Sequence, residues 1–264
     1  MAIQRVLKKT AETKYVAYEI ADGYVMGNLI GDLPNRRLQN IIPPLSQSAT
    51  TTNAHTRMGN SIQPVKLLVT IQYFFQGDGL AGGQDVNAVN KAGLYEVRQF
   101  SVAPKSIRSG TQWTNAIAQS LQAKLLEVGD GTTVAPYSAT TQNILYPVSN
   151  ENFTNLRGNK KFIMGKNTGA MIGGSDYPLA TARAQNTIRY ALKLPKTLVY
   201  DENSATVPSN FLALWGAYAT NITNYNATAS TTYDGLQNPL LSNSSPTHPI
   251  IRYTLRAELW FKDI

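Results

Sequence analysis

Between Ile251 and Lys262 the chain alternates apolar and polar residues without interruption. Ile251, Tyr253, Leu255, Ala257, Leu259 and Phe261 fall on one side of a two-residue period. Arg252, Thr254, Arg256, Glu258, Trp260 and Lys262 fall on the other. Successive side chains of a strand point to opposite faces, so this pattern predicts one long strand with a buried face and a mostly charged one. A closing segment so regular is expected to insert between strands formed earlier in the chain. That implies a non-local β fold of Greek-key type.

A second long strand is predicted over 65–75, VKLLVTIQYFF. Val65, Leu67, Val69, Ile71, Tyr73 and Phe75 share one face; Lys66, Leu68, Thr70, Gln72 and Phe74 share the other. The half-apolar second face implies a cover from a neighbour or a loop. Shorter strand signals lie at 36–42 (closed by Pro43 and Pro44), 94–103, near 142–148, and at 160–166, 186–194, 196–201 and 211–218. Tyr15–Ile30 is aromatic and β-branched, punctuated by Gly23, Gly27 and Gly31. One helix is predicted over 111–128, where Trp113, Ile117, Leu121 and Leu125 recur at four-residue steps before Gly129 and Gly131. It is expected over one edge or end of a sandwich. Residues 219–249, rich in Asn, Thr and Ser, read as one long surface loop. No repeat, linker or break in composition divides the chain, so residues 1–264 are expected to form a single domain. Its fold class is all-β, a single eight-stranded jelly roll with two four-stranded antiparallel sheets and one helix inserted in a loop.

Composition narrows the chemistry. Charged residues make up 15% of the 264, against a usual quarter, and the formal net charge is +8. That balance suits either a polyanionic partner or an ordinary basic surface. Cysteine is absent, which removes disulfides, thiolate metal sites and thiol catalysis. No apolar run reaches membrane-spanning length, and the opening MAIQRVLKKT lacks the apolar centre of a secretory signal. The Asn-x-Ser/Thr sites at Asn152, Asn221, Asn226 and Asn243 are therefore read as products of composition.

The two histidines, His55 and His248, sit in no metal-binding spacing, and no Gly-x-Ser-x-Gly is present. The carboxylates never pair on one strand face; a glycosidase pair assembled in space is the one enzymatic alternative. The turn GDGLAGGQD (77–85) lacks the Lys-Ser/Thr of a phosphate loop, and its Asp78 and Asp85 are weighed as interface calcium ligands against a plain flexible loop. No enzyme activity, metal or cofactor is expected. Basic residues are uneven. Residues 1–14 carry Arg5, Lys8, Lys9 and Lys14 against Glu12, with Ile3, Val6, Leu7 and Thr10 at helical spacing. This basic opening, within a segment running to residue 20, reads as a nucleic-acid or membrane contact or as a solvated terminus. Between 152 and 200 eight bases face one acid, Asp176, a balance that fits phosphate tracking or charged edge strands.

Three stretches together resemble capsid proteins of circular Rep-encoding single-stranded DNA viruses, the circovirus-like or CRESS-DNA group. They are Arg57-x-Gly-x-x-Ile62 leading into a long strand, LKLPKTLVYDE (192–202) followed by SNFLALWGAY (209–218), and the ending YTLRAELWFKD (253–263). They cover 57–76 and most of 186–263. The resemblance implies jelly-roll sheets BIDG and CHEF, with B near 36–42, C 62–75, D 94–103, E 160–166, F 186–194, G 196–200, H 211–218 and I 250–262. It also implies a non-enzymatic coat protein whose copies, sixty in the smallest shells, form an icosahedral virion around a small genome. Cargo would be bound without sequence specificity, the host receptor is left open, and assembly would take place inside the host cell, with the nucleus one candidate compartment.

The chain departs from the family in lacking a long Arg-rich arm. The residues left as candidate nucleic-acid contacts are Arg5, Lys8, Lys9, Lys14, Arg36, Arg37, Arg252 and Arg256. The last two lie on the outer face of strand I, which in such shells tends toward the lumen. The competing expectation is a glycan-binding module of lectin or fibre-head type. It would need an aromatic platform drawn from Trp113, Trp215 or Trp260.

Overall fold

A computed structural model describes residues 12–25, 37–48, 55–75, 94–128, 132–134, 146–165, 184–221 and 251–263. Its strands are β1 (Lys14–Tyr24), β2 (Gln39–Asn40), β3 (Ser61–Phe75), β4 (Leu94–Pro104), β5 (Leu126–Glu127), β6 (Thr133–Val134) and β7 (Phe153–Asn155). They continue with β8 (Lys160–Gly165), β9 (Gln185–Leu192), β10 (Leu198–Val199), β11 (Leu214–Asn221) and β12 (Ile251–Asp263); the helix is α1 (Asn115–Gln122). The closing strand lies between β1 and β3, antiparallel to both, with Leu255 opposite Ile20 and Ile71. β9 and β10 share the far side of β3. The second sheet runs β2-β11-β4, with β7 and β8 both on the far side of β4. Every sheet pairing is antiparallel, and the result is an all-β jelly roll.

Pairing order corrects the strand assignment. A jelly roll places strand I between B and D, and β12 lies between 14–24 and 61–75. B is therefore β1, and the segment at 36–42 supplies only the two-residue C strand β2. The long strand expected as C is D, and 94–104, 160–165 and 185–192 become E, F and G. The pair Leu198–Val199 merely continues the G edge. Strands H and I stand as expected. β1 escapes a two-residue reading because its register shifts between Ile20 and Gly23. Gly23 is needed there, since a Cβ would lie 2.2 Å from the Tyr253 ring.

The inward faces interdigitate into one core. Leu67, Val69, Ile71 and Tyr73 from β3, and Tyr253, Leu255, Leu259 and Phe261 from β12, meet Tyr95, Val97, Trp215 and Ala217 of the second sheet. A second core lies on the other side of that sheet. Phe100, Val102, Leu214 and Tyr218 point outward and are covered by Leu125, Leu126, Val148 and Phe153. Both faces of β11 are thus buried, which explains its unbroken apolar run.

The helix belongs to this outer layer: Leu121 packs against the outer core, and Gln122 Oε1 accepts from Leu38 N beside the edge strand β2. The helix is also shorter than 111–128. A 3-10 turn at Gly110–Gln112 precedes it, and the Thr114 side chain caps its start by accepting from Ile117 N. Leu126 then leaves to pair with Val134 and bridge Val148, so strand pairing ends the helix. The only part of the 142–148 prediction within the described residues is 146–148, and its sole pairing is that bridge.

Where the sheets approach, Tyr73 donates to Gln99 Oε1 at 2.6 Å, and Gln99 Nε2 donates to the Gly158 carbonyl at 2.5 Å. Gly158 has φ +116°, and a Cβ there would sit 2.4 Å from the Tyr190 ring. Gly158→Ala therefore combines backbone strain with overpacking, at a cost of about 2–4 kcal/mol. The expected result is a thermal midpoint lower by about 5–15 °C. A melt within about 2 °C of the parent would show that the turn relaxes freely.

Candidate nucleic-acid interface

The outer face of the first sheet follows from strand register. β12 contributes Arg252, Thr254, Arg256, Glu258, Trp260 and Lys262. Opposite them on β3 lie Phe74, Gln72, Thr70, Leu68, Lys66 and Gln63, and on β1 Tyr15, Ala17 and Glu19 face Trp260, Glu258 and Arg256. β9 extends the surface with Gln185, Thr187, Arg189 and Ala191. Among the described residues this face carries Lys66, Arg189, Arg252, Arg256 and Lys262 against Glu19 and Glu258. It is a basic face with interspersed Thr, Gln and aromatic side chains.

The expected contact residues separate in space. Lys14 is withdrawn from solvent, with 6% exposure. Its ammonium pairs with Asp263 at 2.8 Å and donates to the Thr56 carbonyl at 3.2 Å. It ties β1 to the end of β12 and presents no charge to a ligand. Arg256 lies on the outer face but is claimed by two carboxylates, Glu258 at 2.7 Å and Glu19 across the strand pair. The hydrogen bond to Glu258, then the Glu19 charge, raises its pKa, so the group is cationic while its field is locally offset. Arg252 is half-buried on the same face beside Tyr24 and Phe74. Arg37 lies just before β2 of the second sheet, where its guanidinium donates to Asn115 of α1. Arg5, Lys8, Lys9 and Arg36 lie outside the described residues, as do Asp78, Asp85, His248 and residues 222–249 of the expected loop. The first residues of that loop, 219–221, belong to β11.

Sequence reasoning missed a stack at one end of the face. Tyr15 and Trp260 are stacked with ring centres 5.2 Å apart and planes 25° apart. The Lys66 ammonium lies 4.7 Å from the Trp260 ring, and His55 meets Tyr15 edge-on at 5.1 Å. Tyr15 is 37% exposed. Their only signal in the chain is register, which cannot be read before the pairing of β1, β12 and β3 is known.

Beside this stack the three stretches that carry the family resemblance converge. Arg57 is fully buried. Its guanidinium donates to the carbonyls of Gly59, Glu202, Asn203 and Ala205 and to Asn60 Oδ1, and lies 4.3 Å over the Tyr200 ring. Burial lowers the Arg57 pKa, opposed by Tyr200, and burial raises the Tyr200 hydroxyl. The closing stretch joins through Asp263, which accepts from Met58 N at 3.2 Å. Residues 57–60, 200–205 and Asp263 thus meet in one knot at the end of the first sheet.

Burial raises the hydroxyls of Tyr73, Tyr190 and Tyr253 above their ordinary value, so they stay neutral. Among the described residues no group of His, Asp and Glu is placed to hold a metal, and no helix is long and apolar enough to cross a membrane. Of the candidate sugar platforms, Trp215 is in the core at 1% exposure, and Trp113 packs under the outer layer with Nε1 donating to the Leu38 carbonyl. Trp260 alone reaches the outer face.

Fold and surface together define a jelly roll with a cationic, aromatic-bearing outer sheet. Comparison with protein-family models and with curated proteins finds no match.

Proposed function

We propose that this chain is a structural coat subunit whose copies assemble into an icosahedral shell, sixty in the smallest form, around a small single-stranded nucleic acid, with circular DNA the favoured cargo. The observation that carries the reading is the strand order. β1, β12, β3 and β9 take the B-I-D-G places and β2, β11, β4 and β8 the C-H-E-F places. Jelly rolls of this order serve shell, lectin and other roles, so the order alone does not choose. The resemblance of 57–76 and 186–263 to CRESS-DNA capsids tips the choice. The basic outer face of the first sheet supports a polyanionic cargo held without base readout. The glycan-binding alternative has lost two of its three platforms to packing.

The direct test is the size of the purified chain and its 260/280 nm absorbance ratio. The expected result is a particle of tens of subunits whose ratio falls toward that of pure protein after nuclease treatment in high salt. Monomers or dimers at neutral pH across all salts, seen also by electron microscopy, would reject the reading.

A further inference from the structure

We propose that Tyr15, Trp260 and Lys66 form a binding site for one unpaired nucleobase and its phosphate on the outer face of the first sheet. The inference rests on the nucleic-acid reading above and specifies where and how a strand is gripped. The two rings form a rigid stack anchored on adjacent strands, paired at Tyr15 opposite Trp260. Lys66 is opposite Trp260 on the other neighbour and exposed, with its ammonium over the indole. A lysine in that position is a movable cap, because its flexible stem can swing the charge to a phosphate and leave the ring to a base. Every base has a π-face, so such a platform accepts any sequence. The indole Nε1 is buried and has no hydrogen-bond partner among the described residues, so a base would meet the ring and not this N–H. The surrounding face has five bases to two acids, a charge balance that suits a polyanion and not a neutral sugar.

Duplex DNA fits poorly, since its bases are stacked inward and cannot lay a face on a ring at the sheet surface. A single strand can lay one base on Trp260 while its phosphates follow Lys66 toward Arg252 and Arg189. The site is distinct from the Arg57 knot beside it, whose two terminal guanidinium nitrogens are turned to backbone and Asn60 oxygens.

The experiment uses the 264-residue chain, stripped of nucleic acid in high salt and returned to low salt with oligothymidylate present. Tryptophan fluorescence is followed during titration. Quenching is expected with oligothymidylate, and not with an abasic oligomer of equal charge or with duplex. Trp260→Phe, which keeps a ring against Tyr15, should abolish the quench while its melting curve stays near the parent. Trp260→Leu should weaken binding about 5- to 150-fold. Lys66→Ser should lower the logarithmic salt slope by about 0.7. Equal quenching by the abasic oligomer or duplex, or quenching that survives Trp260→Phe, overturns the site. If particles still carry nuclease-sensitive cargo in that case, the coat reading stands and only this site falls.

Discussion

Arg57→Met is expected to cost at least about 4 kcal/mol, because removing the guanidinium strands several acceptors at once. Five oxygens lose their donor: the carbonyls of Gly59, Glu202, Asn203 and Ala205, and Asn60 Oδ1. An acceptor left dry costs about 1–3 kcal/mol, and the contact with Tyr200 adds up to about 2 kcal/mol where it is desolvated. These costs overlap, and the loops can admit some water, so the sum is an upper limit. Even the lower figure is a large share of the 5–15 kcal/mol that holds an ordinary domain together. Apolar replacement of a buried ion pair is often harmless, but here the partners are backbone carbonyls that no substitution removes. Arg57→Lys should also fail, since a point charge with three donors cannot span a fan of five oxygens. The measurement is the thermal midpoint of soluble protein, expected to fall by about 8–16 °C for Met. A fall under about 3 °C would mean that the knot is incidental to stability.

The same knot shows what the chain discloses in advance. Arg57-x-Gly-x-x-Ile62 is visible as a motif, yet nothing local says why an arginine should stand there. Its meaning lies in Glu202, Asn203 and Ala205, which are remote in sequence and supply oxygens from a loop. Strands with strict alternation, β3 and β12, are legible almost residue for residue, because burial on one face writes a two-residue period into the sequence. β1 is not, since a register shift at Ile20–Gly23 breaks that period. Without β1 the expected letters B to G each fall one strand late, while H and I are unaffected. The helix is shorter than its predicted span because Leu125 satisfies a helical stripe and an outer-layer core alike, and pairing of the adjacent Leu126 decides between them.

Charges were the least legible feature. Lys14 and Arg256 look like surface cations in the chain, and their acids are distant: Asp263 for one, Glu19 for the other. Only Glu258, two positions from Arg256, was near enough to suspect. Trp260 stood on the polar side of its strand pattern throughout, but its partners Tyr15 and Lys66 come from opposite neighbours. A platform assembled across three strands leaves no local trace.

Ending the chain after Leu259 is expected to prevent folding, although it removes only Trp260–Ile264. The last pairs of β12 with β3, Phe261 with Pro64 through Asp263 with Ile62, close the end of the sheet beside the Arg57 knot. Phe261 is fully buried, and truncating such a ring costs about 3–5 kcal/mol. Loss of Asp263 leaves the Lys14 ammonium buried beside the Thr56 carbonyl without a counter-charge, a defect of about 3–5 kcal/mol when desolvation is complete. It also takes the acceptor from Met58 N, loosening the loop that holds Arg57. Together these approach the whole stability of a domain. Phe261→Ala and Asp263→Asn separate the contributions. Each should remain foldable with a midpoint lower by about 5–15 °C, and the double variant should couple weakly because the residues face different partners. Circular dichroism and soluble yield read all three. A truncated chain that keeps a cooperative melt within about 5 °C of the parent would show that β12 is anchored by its centre alone, around Leu255 and Ala257, and that its end is dispensable.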